Sequence, residues 1–301
     1  MANQQQTGLI YGLTAYILWG FFPIFFYYLN SVSPAEILAQ RIVWSFLFLA
    51  VVVLLTGKHQ RIWEALRNPA TRKFMIASSI LIAINWLTFI WAVANGRVLE
   101  SSFGYFLTPL VSVMLARVIL KEQLDIYRLA ACALALIGII TQVINLGGLP
   151  WVSLTVSISF GCYGLVRKKA EVDSLSGLTI ETAVLLPLSV LYMIWLAANG
   201  QSGFISNGIS VSVLLMVSGV ITAVPLLLFA TAAKKLSLTA IGFMMYINPI
   251  MQMLCGIYFF KESFDSTQLV SFGFIWIALI VFSVGAITQQ RRMRLLANPI
   301  Q

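Results

Sequence analysis

Ten apolar runs, each about twenty residues long, divide this chain from one end to the other. They fall at approximately 8–29, 35–55, 74–94, 100–120, 127–144, 150–166, 178–198, 211–233, 239–260 and 268–287. At about 1.5 Å of rise per residue, a helix of this length crosses a hydrocarbon layer about 30 Å thick. The runs are continuously apolar and do not alternate, which favours helices over a membrane barrel. The run at 150–166 is the shortest and is interrupted by Gly161 and Gly164. The first run follows a polar start, Ala2-Asn3-Gln4-Gln5-Gln6, without Lys or Arg. A secretion signal has a basic start and a shorter apolar stretch, so this run reads as a retained span. The expected fold is an all-α membrane protein.

Composition closes off the soluble alternatives. Residues of the AVILMFWYC set make up 60% of the chain and charged residues only 10%, against about 45–50% and about 25% in a soluble domain. That much apolar surface cannot be hidden from water. A soluble enzyme, a nucleic-acid partner and a secreted disulfide scaffold are excluded. Cys132, Cys162 and Cys255 all lie inside apolar runs and read as small core residues. The only histidine, His59, lies between Lys58 and Arg61 and reads as a solvated loop residue. No metal and no cofactor is expected.

The net charge of +9 then reports orientation. With a cytoplasmic N-terminus, 16 of the 19 Lys and Arg residues fall on the cytoplasmic side, and only Arg41, Arg97 and Lys261 on the other. The positive-inside rule therefore predicts both termini in the cytoplasm, with the lipid bilayer as the main partner.

The chain also repeats itself. Thr108-Pro109 and Lys121-Glu122-Gln123-Leu124-Asp125 return 140 positions later as Asn248-Pro249 and Lys261-Glu262-Ser263-Phe264-Asp265. Phe103 and Phe243, and Leu129 and Leu269, match at the same offset, and Trp19-Gly20-Phe21-Phe22 echoes Phe160-Gly161-Cys162-Tyr163. Two halves are expected, 1–145 and 146–301, each of five helices. An odd number of spans turns the second copy over, so the repeats are inverted. Inverted repeats recur in secondary transporters, with the substrate site near the midplane between the halves.

A mid-helix proline, then about twelve residues to a Lys-Glu pair, then a Gly-containing apolar helix, all twice over, resembles the paired repeats of the EamA family in the drug/metabolite transporter superfamily. Arg41-Ile42-Val43-Trp44-Ser45, Asn85-Trp86, Gly104-Tyr105-Phe106 and Tyr163-Gly164-Leu165-Val166-Arg167-Lys168-Lys169 carry the likeness further, to inner-membrane permeases within it. The resemblance covers nearly the whole chain. It implies a five-plus-five inverted fold and transport of a small-molecule substrate, and it names no substrate. Lys121 departs from the glycine more usual before the glutamate.

Polar groups inside a bilayer are costly and usually functional. Arg41 lies about six residues into the second run, roughly 9 Å deep. Glu36 precedes it, and Glu100 opens the fourth run at a similar level. An Arg41–Glu100 pair is expected, as either a structural lock between two helices or an anion-binding or proton-linked gate facing the periplasm. Glu181 enters the seventh run, the counterpart of the second, and reads as an opposite gate, a proton-coupling group or a helix-start carboxylate. Asn85, Trp86, Tyr105, Thr108, Tyr246, Asn248 and Gln252 converge at mid-depth beside Pro109 and Pro249, each of which frees a carbonyl for a neighbour or ligand. They are the candidates for a central cavity, or else polar contacts between helices. Asp125 and Asp265 read as helix caps.

Three functions remain. A secondary transporter moving a small metabolite or drug-like solute, with a possible coupling proton, fits the repeat. A membrane-embedded enzyme lacks its parts: there is no G-x-x-x-x-G-K-[ST] loop, no H-E-x-x-H and no paired Asp motif. A passive channel or receptor is the third reading.

Overall fold

The computed structural model describes residues 2–119, 121, 123–236, 241 and 244–297. Glu122 and Phe243 of the repeat, and Leu120, Thr239 and Ala240 at run ends, lie outside the described residues. Among the described residues there is no strand. The first span is α1 (Ala2–Gly20) continued, after a break at Phe21, by α2 (Phe22–Tyr27). Then come α3 (Pro34–Thr56), α4 (His59–Arg67), α5 (Pro69–Ala94), α6 (Val98–Ile119), α7 (Ile126–Leu146), α8 (Trp151–Ala170) and α9 (Ser174–Ala198). The chain ends with α10 (Gly203–Ser206), α11 (Gly208–Lys235), α12 (Ile247–Leu254) with a π-helical turn at Cys255–Phe259, and α13 (Ser266–Ala297).

Eight of these helices are long and apolar enough to cross a membrane. The other two spans are α8, whose last turn carries Arg167, Lys168 and Lys169, and the shorter ninth, Ile247–Phe259. The architecture is ten transmembrane helices in two inverted five-helix repeats. Two helices fall between spans: the single-turn α10, and α4, which occupies the segment that holds His59. Ile62, Ala65 and Leu66 recur at helical spacing and pack on Met75, Ala170 and Ile180, so the loop has an apolar face to bury.

The boundaries follow from local chemistry. Ser33 accepts from the Glu36 amide, with Pro34 in the first turn of α3, and Asn68 accepts from Ala70 and Thr71 beside Pro69. Asp125 and Asp265 each accept from the amide three residues on, as helix caps do. Lys121 and Lys261 both sit at φ 56, an uncommon value for a side-chain-bearing residue, so the repeat is written in the backbone as well.

Packing interleaves the halves. The first span lies on α11, α5 and α6 lie on α8, α3 lies on α9 and α11, and α7 pairs with α13. Exchanging the two halves maps most of these contacts onto one another. Close crossings use small residues: a Cβ on Gly104 would sit 2.7 Å from the Ser153 carbonyl oxygen, and one on Gly20 would sit 2.5 Å from Met251 Cβ. Leu55, Leu188 and Ile209 are among the large apolar side chains left on the outer surface, where lipid is the solvent.

Candidate functional site

Arg41 lies in the second turn of α3 and is 3% exposed. Its Nε donates to Thr222 Oγ1 of α11 at 2.6 Å, and Thr222 passes its own proton to the Ser218 carbonyl at 2.7 Å. The guanidinium carbon lies 4.1 Å from the Trp86 ring centre, 5.4 Å from Phe26 and 5.6 Å from Phe22. Nη1 is buried without a hydrogen-bond partner. This part of α3 thus carries a cation enclosed by aromatic rings, with one of its donors unmet.

The expected Arg41–Glu100 pair does not form. Glu100 pairs with Arg97 at 2.6 Å, three residues earlier at the start of α6, and accepts from the Val152 amide at the start of α8. Arg97 is sequence-local and sits on the same helix end, so it captures the carboxylate first. Glu36 is likewise engaged: its oxygens accept from Ser202 Oγ and from the Gly203 and Phe204 amides, capping α10. Glu262, just past the ninth span, accepts from the Val98 and Leu99 amides and caps α6. Burial pushes this last carboxyl above its ordinary range.

Glu181 is the second buried charge on the central axis. It lies eight residues after the Asp173 cap of α9, as Arg41 lies eight after the Ser33 cap of α3. Its oxygens accept from Ser78 Oγ at 2.7 Å and Tyr163 OH at 3.3 Å, and Arg167 Nε lies 3.5 Å away. The Arg167 guanidinium also reaches the Val172 and Asp173 carbonyls and covers Gly177, tying the end of α8 to the start of α9. Burial raises the Asp173 carboxyl, but the Ser176 hydroxyl and amide, with Lys58 and Arg61, hold it net below its ordinary range.

Between the two charges runs a line of rings. Phe26 meets Phe89 at 6.0 Å, Phe89 meets Tyr105 at 6.0 Å, Tyr105 meets Phe160 at 6.2 Å, and Phe160 meets Tyr163 at 5.8 Å. At its middle, Tyr105 donates to Asn85 Oδ1, and Asn85 Nδ2 donates to the Val156 carbonyl and Ser159 Oγ. The structure thus joins Arg41, Trp86, Tyr105, Asn85 and Glu181 into one axis. It places the others elsewhere. Thr108 returns its hydroxyl to the Gly104 carbonyl within α6. Gln252 donates to Asn248 within α12, with its own Oε1 buried and unpartnered. Tyr246 packs in the apolar cluster of α6, α7 and α13 and bonds Ser283. Shared depth along the sequence did not reveal which way each helix is turned.

Sequence reasoning passed over Thr222, Ser78 and the ring line. The repeat held the missing signal: Phe22 and Phe26 stand 141 positions before Tyr163 and Arg167, and Arg41 stands 140 before Glu181. Among the described residues no cluster of His, Cys, Asp and Glu is arranged to hold a metal.

Comparison with known proteins decides the family. The model of the EamA-like transporter family matches twice, over residues 6–144 and 147–284. The chain belongs to the EamA-like transporter family. An uncharacterized transporter of Pseudomonas aeruginosa is 44% identical over 96% of this chain and 97% of its own length. Protein RarD of Escherichia coli is 38% identical over 97% and 98%. The chloramphenicol-sensitive protein RarD of Pseudomonas aeruginosa is 29% identical over 91% and 92%. A solved crystal structure, 15% identical, superposes with a TM-score of 0.61 over 94% of this chain and 99% of that one, a likeness of fold. The chain is a multi-pass membrane protein of a transporter family, and its relatives include proteins named as transporters.

Proposed function

We propose that this EamA-family chain is a secondary transporter that moves a small organic solute across the bacterial cytoplasmic membrane by alternating access. The supporting observation is the pair of buried charges, Arg41 and Glu181, at one register of inverted helices and joined by a line of aromatic rings. Inverted repeats can exchange conformations, so that what one half does at one face the other does at the opposite face. In this reading the Glu181 end is held shut by the Arg167 tie, and the Arg41 end receives the solute. In the same reading the Arg41 end faces the periplasm and both termini the cytoplasm, which the uneven distribution of basic residues supports.

Transport is tested with the purified protein in proteoliposomes. Solute accumulation that depends on an imposed proton or sodium gradient supports the reading. Flux that only follows the solute's own gradient indicates a channel. Reporter fusions after Gln201 and after Gln290 test the topology: they should report opposite sides of the membrane, and agreement between them would break the ten-span orientation.

A further inference from the structure

The Arg41 box is built for something that is absent from the chain. A guanidinium presents five N–H donors. Here Nε is engaged by Thr222, aromatic rings surround the group, and Nη1 has no partner although the residue is 3% exposed. An uncompensated charge in a low-dielectric interior is expensive, so a buried arginine ordinarily has an acid beside it. The acids that face this region are engaged elsewhere: Glu36 caps α10, Glu100 pairs with Arg97, and Glu181 pairs with Arg167. Among the described residues, Arg41 makes no salt bridge.

The buried carboxylates each have partners of their own: Glu181 lies beside Arg167, Glu100 beside Arg97, and Glu36 is held by the Ser202 hydroxyl and the Gly203 and Phe204 amides. What Arg41 lacks is an acceptor for its buried, unbonded Nη1, and a carboxylate oxygen would supply one together with a countercharge. Aromatic rings pack on the guanidinium, and the line of rings continues from Phe26 through Phe89 to Tyr105. A carboxylate fits the donor geometry of an arginine, and an apolar body fits the rings.

We propose that Arg41 docks the carboxylate of a small organic anion, whose apolar part lies along the Phe26–Phe89–Tyr105 line. This names the substrate class of the site above. It rests on the transporter reading only in treating the bound anion as cargo.

The test is thermal unfolding of the purified full chain in detergent, at fixed ionic strength, with three probes of one shape: indole-3-acetate, indole-3-acetamide and tryptamine. A fourth arm adds sodium chloride alone. The expected result is a dose-dependent rise in Tm with the carboxylate, roughly 3–6 °C near saturation, and almost none with the other three. Arg41→Gln should remove the carboxylate response. Arg41→Lys should weaken it by about tenfold, as expected for losing one charge-assisted hydrogen bond. The probe comparison is made on the unaltered chain, so it stands even if a variant folds poorly. Equal stabilisation by the amide, the amine or chloride overturns the proposal. So does no stabilisation by the carboxylate, or a full response in well-folded Arg41→Gln. Carboxylate binding without any gradient-driven flux would overturn the transporter reading and leave this one standing. Gradient-driven flux of a neutral or cationic solute that does not need Arg41 would do the reverse.

Discussion

Arg41 and Glu181 occupy equivalent positions in the two repeats, yet their surroundings differ in kind. Around Glu181, every oxygen has a donor and a cation stands 3.5 Å away. Around Arg41, the positions equivalent to Tyr163 and Arg167 are Phe22 and Phe26, so the hydroxyl and the countercharge are replaced by ring faces. Duplication supplied two copies of one pocket, and divergence satisfied one of them while leaving the other short of a partner. The satisfied pocket is suited to hold helices together. The unsatisfied one is suited to bind a ligand, because its missing partner can arrive from outside.

This contrast is most easily broken at its stronger member. Glu181→Gln removes the charge but keeps the shape, leaving Arg167 without its countercharge. Breaking a buried pair costs about 3–5 kcal/mol. The low end is expected here, because the Arg167 side chain keeps 14% exposure. A clear fall in Tm should follow, and Glu181→Gln with Arg167→Met should recover part of it. If the single variant melts like the wild type, the tie between α8 and α9 is not holding that end.

Arg41 should behave in the opposite way. Arg41→Lys should stay folded, with Tm nearly unchanged, while transport drops by about tenfold or more, since an ammonium lacks the planar fork. Because Glu100 is engaged with Arg97, Arg41→Gln and Glu100→Gln should be additive to within about 0.5 kcal/mol. Strong coupling between them would restore the pair that the structure does not show. Removing the ring beneath the guanidinium, as in Trp86→Leu, should cost about 1–2 kcal/mol of cation–π contact, read as a smaller fall in Tm.

The sequence made one kind of information legible and hid another. Ten spans, two halves, the Asp125 and Asp265 caps and the burial of Arg41, Asn85 and Glu181 could be read from runs, offsets and the cost of burying charge. These depend on depth and spacing alone. Rotation about each helix axis was not legible, because almost every face of a membrane helix is apolar. Tyr246 and Tyr105 therefore look alike in the sequence, yet one packs in the α7–α13 cluster and the other sits on the axis. The Arg41–Glu100 expectation failed for a related reason. Both residues lie at one level, but Arg97 shares Glu100's own helix end and needs no particular rotation to reach it. The most informative clue was arithmetic: applying the offset of 140 to Arg41 leads directly to Glu181.

The smallest expected effect lies midway between the two pockets and asks whether they act as one path. Tyr105 donates one hydroxyl to Asn85, and Asn85 is held from its other side by Val156 and Ser159. A hydrogen bond between membrane helices is worth about 0.6 kcal/mol on average, because the unfolded state in the membrane also finds partners. Tyr105→Phe should therefore barely move Tm. It keeps the ring contacts with Phe89 and Phe160 but frees the Asn85 oxygen. If the ring line is a path for the solute, that freed acceptor sits on it, and transport should change by several-fold while stability does not. If transport and Tm are both unchanged, the centre of the axis is packing alone, and the two pockets work without communicating through it.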